Sequence, residues 1–152
     1  MPISTKAEYA ARAMMQLALV FDGGAGVRTA DIAAQQCIPK KYLEQILLQL
    51  KHHGLVRSKP GVNGGYSLGR SPREITVAHV LRAVEGPPAP SPCGGADGRT
   101  DCRLPAHDGC ALRRVWQDVQ EAASQVLEGV TLADLAAEAR RRTGGALLDY
   151  QI

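Results

Sequence analysis

The chain has 152 residues, 45% of them hydrophobic and 22% charged, with a formal net charge of +3. This is enough apolar material for one sizeable core, but the stretch over residues 13–21 is interrupted by Gln16 and falls short of the ~20 residues that cross a bilayer, so no membrane partner is expected. Residues 1–6 lack the stacked positive charges of a secretory signal, and a cytoplasmic location follows as the expectation.

Charge is spread unevenly. Residues 1–86 carry eleven Lys and Arg against six Asp and Glu, a surplus of +5, whereas residues 87–152 carry a net −2. A polyanion would therefore bind the first half.

Over residues 5–21, Ala10, Met14, Leu17 and Phe21 fall at helical spacing ahead of the breaker Asp22-Gly23-Gly24, which predicts a first helix with one buried face. Thr29 is placed to cap a short second helix running to about residue 36, with Ile32 and Ala33 turned inward. A tight break follows at Cys37-Ile38-Pro39, where Cys37 is expected as a small packed residue and Pro39 suits the first turn of the next helix. That third helix, over residues 40–53, has Leu43, Ile46, Leu47 and Leu50 on one face and Lys40, Lys41, Glu44, Gln45 and Lys51 on the other. Gly54 is placed to take the left-handed conformation that ends it, with Leu55 folding back. A short helix, a tight turn and a longer amphipathic helix make a helix-turn-helix.

Residues 55–59 read as a strand, residues 60–65 as a glycine-rich turn containing Asn63-Gly64, and residues 66–68 as the return strand. A hairpin directly after such a helix is a wing, with Arg57, Lys59 and Asn63 on or near its tip. Thr76 then caps another helix, with Ile75 and Val80 as a hydrophobic staple and Val77, Leu81 and Val84 along its stripe.

Three of the four cysteines, Cys93, Cys102 and Cys110, lie within residues 87–110, a segment with a single Leu and no Val, Ile, Met, Phe, Trp or Tyr. Such a segment builds no core, so its thiols point to metal or redox chemistry rather than burial. In a reducing cytosol they read as ligands or switches, not as a disulfide framework. Three thiolates suit an iron–sulfur cluster held in a wrapping loop. Cys93, Cys102, His107 and Cys110 also compose a three-cysteine, one-histidine zinc tetrahedron, although the short Cys-x-x-Cys knuckle is missing. A metal-free thiol switch is the third reading.

Helical spacing resumes from residue 111 to about residue 127 through Leu112, Val115, Trp116, Val119, Ala123, Val126 and Leu127. The broad apolar face predicts a dimerisation helix. Thr131 to Asp134 starts a last short helix ending near residue 142, and residues 143–152 form a tail without assignment. The expected architecture is mainly α with a small β-hairpin wing. It comprises a winged helix-turn-helix domain over 1–86, a cysteine-bearing loop over 87–110, a dimerisation helix with a short C-terminal helix over 111–142, and the tail. An enzyme is disfavoured: none of His52, His53, His79 and His107 has a Ser or acidic partner at recognisable spacing, and Gly61 to Gly65 sits between strands rather than before a helix. An electron-transfer protein would use the cysteines but not the helix-turn-helix and wing.

Together, Tyr42-Leu43-Glu44-Gln45, Gly54-Leu55-Val56, Gly64-Gly65-Tyr66 and the trailing cysteine triplet resemble the winged-helix transcriptional regulators of the Rrf2 superfamily, of the IscR, NsrR and RirA type, over about residues 3–139. The resemblance implies a homodimer, a repressor more than an activator, that binds palindromic promoter DNA and senses nitric oxide, iron or redox state through an iron–sulfur cluster. A four-iron cluster is favoured, with a two-iron cluster as the alternative. Cys93, Cys102 and Cys110 match the three cluster ligands, at intervals of eight and seven residues that are longer than is typical. Arg113 stands where one branch has its histidine ligand, and a guanidinium does not coordinate iron. Glu8 matches the position from which an acidic residue of the opposite subunit completes the cluster in another branch, with His107 as the alternative fourth ligand. Glu44 and Gln45 match base-reading positions and Lys41 a further contact; Gln45 suits adenine and Glu44 the cytosine amino group. Pro60 replaces a wing arginine, leaving Arg57 or Lys59 to act there, and Lys40, Lys41, Arg57 and Lys59 supply phosphate attraction. Two copies related by a two-fold axis read an inverted repeat.

Overall fold

The computed structural model describes residues 3–24, 26–61, 64–86 and 111–142. The segment with Cys93, Cys102, His107 and Cys110, the wing residue Asn63 and the tail over 143–152 lie outside the described residues.

Helix α1 (Thr5–Leu19) begins at Ser4, whose hydroxyl accepts the Ala7 N–H at 3.1 Å. It buries Ala7, Ala10, Ala13, Met14, Leu17 and Ala18. The helix is shorter than its apolar spacing predicts: Phe21 falls in a 3-10 turn (Phe21–Gly23) and is exposed, because Gly24 adopts a left-handed conformation there. Helix α2 (Thr29–Gln36) turns Ile32 and Ala33 inward as expected. Thr29 is its first residue and not its cap: extended Arg28 precedes it and pairs with Asp31 at 2.8 Å.

Between α2 and α3 (Lys40–His52), the Ile38 N–H reaches back to the Ala33 carbonyl at 2.9 Å and Ile38 is buried, the hydrophobic closure of a left-handed helix stop. Cys37 supplies the left-handed residue at φ 52° and is exposed, so it is not the packed residue expected. Its thiol turns back along the surface toward the Ala34 carbonyl of α2, at 3.9 Å, rather than into the core. Pro39 caps α3 from outside rather than joining its first turn.

Leu43, Ile46, Leu47 and Leu50 of α3 are fully buried with Met14, Leu17 and Ile32. Each such side chain contributes roughly 1.5–3 kcal/mol relative to exposure. Gly54, at φ 70°, ends the helix and Leu55 folds back so that its N–H meets the Leu50 carbonyl at 2.9 Å. Strands β1 (Val56–Lys59) and β2 (Gly65–Leu68) pair antiparallel with Arg57 opposite Ser67 and Lys59 opposite Gly65. One pairing was not expected: Val27 bridges Tyr66, each N–H donating to the other's carbonyl at 2.8 Å, which fastens the wing to the entrance of α2.

Helix α4 (Val77–Glu85) starts at Thr76 in a reciprocal capping box completed by His79. Helix α5 (Ala111–Gly129) contributes no buried residue, and Leu112, Val115, Trp116, Val119 and Val126 are exposed along it. It joins α4 through the Arg82–Glu128 ion pair and a Thr76–Thr131 bridge. Helix α6 (Leu132–Arg142) opens with a Thr131–Asp134 capping box and returns to α1, burying Leu132 and Ala136 in the common core. Among the described residues, no helix is long and apolar enough to cross a membrane.

Candidate nucleic-acid interface

Burial of one stripe of α3 determines what the opposite stripe can do. With Leu43, Ile46, Leu47 and Leu50 committed to the core, Lys40, Lys41, Glu44 and Gln45 are left exposed on the outer surface of the same helix. An exposed α-helix of this length, bearing donors and acceptors on its free side, has the dimensions and chemistry to enter a DNA major groove. Arg57 and Lys59 are also exposed, on alternate positions of β1 and therefore on one face of the hairpin. The helix and wing are joined by Lys51, whose ammonium donates to the Ser58 hydroxyl at 2.5 Å. Lys51, read from spacing as part of the free polar face, thus acts as a brace between helix and hairpin.

Helix α2 is held behind α3 by a second set of contacts. Arg12 Nη2 donates to the Gln36 carbonyl at 2.5 Å, capping the C-terminal end of α2, and the Gln36 amide bonds Gln16 at 3.0 Å. These bonds fix α2 to α1 and so fix the angle at which α3 is presented. Neither Arg12 nor Gln36 was singled out in the sequence; a long donor facing a helix end leaves no periodic signal.

The residues read from the sequence as cluster ligands divide between described and undescribed parts. Glu8 lies in the first turn of α1, exposed, 3.6 Å from Arg12. The start of α1 is seated on the end of α4: Lys6 Nζ donates to the Val84 carbonyl at 2.7 Å and the Ser4 hydroxyl bonds Glu85. Glu8 is therefore one helical turn from the point where the chain leaves α4 for the cysteine-bearing segment. Among the described residues, no three His, Cys, Asp or Glu are grouped to hold a metal ion. Three cysteine thiolates, as the sequence supplies in residues 87–110, are donors of a type chemically suited to iron.

A winged helix-turn-helix with an exposed polar recognition face and a basic hairpin beside it defines a DNA-binding transcriptional regulator rather than an enzyme. Residues 3–138 match the family model of Rrf2, described as iron-dependent transcriptional regulators, and the chain belongs to that family. It is 43% identical over 150 residues to a Mycobacterium tuberculosis chain whose name places it among HTH-type transcriptional regulators, covering 99% of this chain and 86% of that one. It is 38% identical over 135 residues to the HTH-type transcriptional regulator IscR of Serratia proteamaculans, covering 89% and 79%. Among solved structures it is similar to T. potens IscR, with a TM-score of 0.76 at 33% identity over 93% of this chain and 90% of that one. It is likewise similar to CymR, the global cysteine regulator of B. subtilis, with a TM-score of 0.75 at 33% identity over 91% and 98%.

Proposed function

We propose that this Rrf2-family regulator is a cytoplasmic homodimer that represses transcription from inverted-repeat promoter DNA and senses nitric oxide, iron or redox state through an iron–sulfur cluster held by Cys93, Cys102 and Cys110. The observation that carries the sensing part is the placement of three thiols in a core-poor segment that departs beside Glu8 and returns at the start of α5. A four-iron cluster is the favoured form, with a two-iron cluster as the alternative, and Glu8 of the second subunit is the proposed fourth ligand, with His107 as its alternative. When bound, the cluster supplies an iron whose weak oxygen ligand leaves it open to small reactive molecules or to loss. The exposed apolar stripe of α5 supports the dimer, since two such faces bury each other about a two-fold axis. On DNA, Gln45 and Glu44 read base edges while Lys40, Lys41, Arg57, Lys59 and the wing-turn residue Asn63 contact the backbone.

Anaerobic purification followed by visible absorption, iron and sulfide analysis tests the cluster directly. The expected protein is brown, and the Cys102→Ala variant is colourless with iron and sulfide lost. A wild-type protein that stays colourless after anaerobic reconstitution and contains zinc or no metal contradicts the cluster and leaves zinc or the bare thiols as the controlling chemistry.

A further inference from the structure

A cleft of about 210 Å³ lies behind the wing, lined by Leu17 of α1, by Val20 and Phe21 just beyond that helix, and by Tyr66 and Leu68 of β2. Val20 and Phe21 are 39% and 37% exposed, and Gly24 and Ser67 complete a lining of mixed polarity. We propose that this cleft is the docking site for the chain's own C-terminal residues, 143–152.

Three observations select that occupant. Helix α6 is tied to the end of α1 that borders the cleft: Arg140 Nη2 donates to the Leu19 carbonyl at 3.0 Å, two residues before α6 ends at Arg142. The residues beyond carry Leu147, Leu148, Tyr150 and Ile152 with a single charge, Asp149, directly after the three arginines that close α6. A ten-residue segment reaches up to ~33 Å when extended, more than enough to fold back over one end of α1. Tethering favours this ligand over any other, because a covalently attached segment faces its site at millimolar effective concentration. A cleft of this volume has room for one or two anchor side chains of an extended segment. Docked there, the tail bridges α1, α6 and the back of β2, and it holds the wing from the side opposite Arg57 and Lys59.

Photocrosslinking in the full chain tests this. Phe21 is replaced by p-benzoylphenylalanine, a tolerable change at a partly exposed position, and light and heavy isotopic protein are mixed before irradiation. The expected adduct maps to residues 143–152, joins only like isotopes, and disappears in the Leu147→Asp/Leu148→Asp variant. No adduct, an adduct elsewhere in the chain, an adduct to a foreign protein, or one joining light to heavy chains overturns the proposal. A second readout leaves Phe21 intact: amide exchange at Tyr66, Ser67 and Leu68 is expected to quicken several-fold in Leu147→Asp/Leu148→Asp while circular dichroism is unchanged. Equal exchange in the two proteins overturns it as well.

Discussion

Gly65 lies against Val27 so closely that a Cβ on it would stand 2.5 Å from the Val27 carbonyl oxygen. The obstructing atom is backbone, and that same carbonyl accepts the Tyr66 N–H at 2.8 Å, so neither side gives way cheaply. Gly65→Ala is therefore expected to pry the wing from the entrance of α2 and to destabilise the protein by roughly 1–3 kcal/mol. A lower denaturant midpoint with an unchanged slope checks this; an unchanged midpoint would mean that the Val27–Tyr66 bridge contributes little.

Gln45 is exposed on α3 and makes no structural contact among the hydrogen bonds of the described residues, so its loss leaves the fold intact. Gln45→Ala is expected to weaken specific DNA binding by roughly 1–3 kcal/mol and to spare binding to random duplex. Lys41→Ala, in contrast, should weaken both and reduce the salt slope by about one. Anisotropy titrations over a salt series separate the two, and uniform weakening by Gln45→Ala would remove it from base reading.

Stability should depend on pH through His79. Burial holds its imidazole below the ordinary value of 6.5, with Arg70 and Arg82 adding to the effect and Glu128 opposing it. Its Nδ1 accepts the Thr76 N–H at 3.1 Å, a bond that only the neutral ring makes. Because the folded state binds this proton less readily than the unfolded chain, stability is fully present above the unfolded value and declines as pH falls below about 6.5. The carboxylates Asp134 and Glu138 are instead held below their ordinary values by Thr131 and by Arg142 and Arg141, and their contribution is lost only at more acid pH. Thermal melts between pH 7.5 and 5.5 are expected to show a falling Tm in wild type and a flatter profile in His79→Gln, whose amide preserves the capping box. Parallel profiles would place the pH response elsewhere.

Leu112, Val115, Val119 and Val126 of α5 are exposed among the described residues, so a charge among them costs the monomer little. Val119 is 41% exposed, and Val119→Asp is expected to yield a folded monomer by sedimentation velocity. With only one half-site engaged at a time, affinity for an inverted repeat should fall by ~10²–10⁴-fold while affinity for a single half-site holds. A Val119→Asp protein that remains dimeric would move the dimer interface off α5.

Legibility in the sequence followed the range of the interaction that sets each feature. The stripe Leu43, Ile46, Leu47, Leu50 is local periodicity, so α3 and the exposure of Lys40, Lys41, Glu44 and Gln45 could be read directly. Gly54 and the Thr131–Asp134 start were likewise written in adjacent residues. The Val27–Tyr66 bridge was not, because a single residue pair formed across two helices has no period; the small residues Gly26 and Gly65 that permit it were its only trace. His79 went unread because the usual residue completing a capping box is Glu or Gln, and a neutral imidazole nitrogen replaces their oxygen. Cys37 misled because cysteine is commonly buried, whereas this turn required a left-handed residue. Lys51 sits on the polar stripe by spacing, yet its reach to Ser58 depends on where the hairpin folds, which helical spacing does not encode.

Coupling between the cysteine segment and DNA is tested most directly by selecting duplexes from a random pool with anaerobically loaded protein, then measuring affinity for the selected sequence before and after the iron is removed by chelation. The expected outcome is an inverted repeat with half-sites about one helical turn or a multiple apart, bound with at least ~5-fold different affinity by the two forms. A selected site without two-fold symmetry, or equal affinity for loaded and stripped protein, would contradict an iron-sensing dimeric regulator.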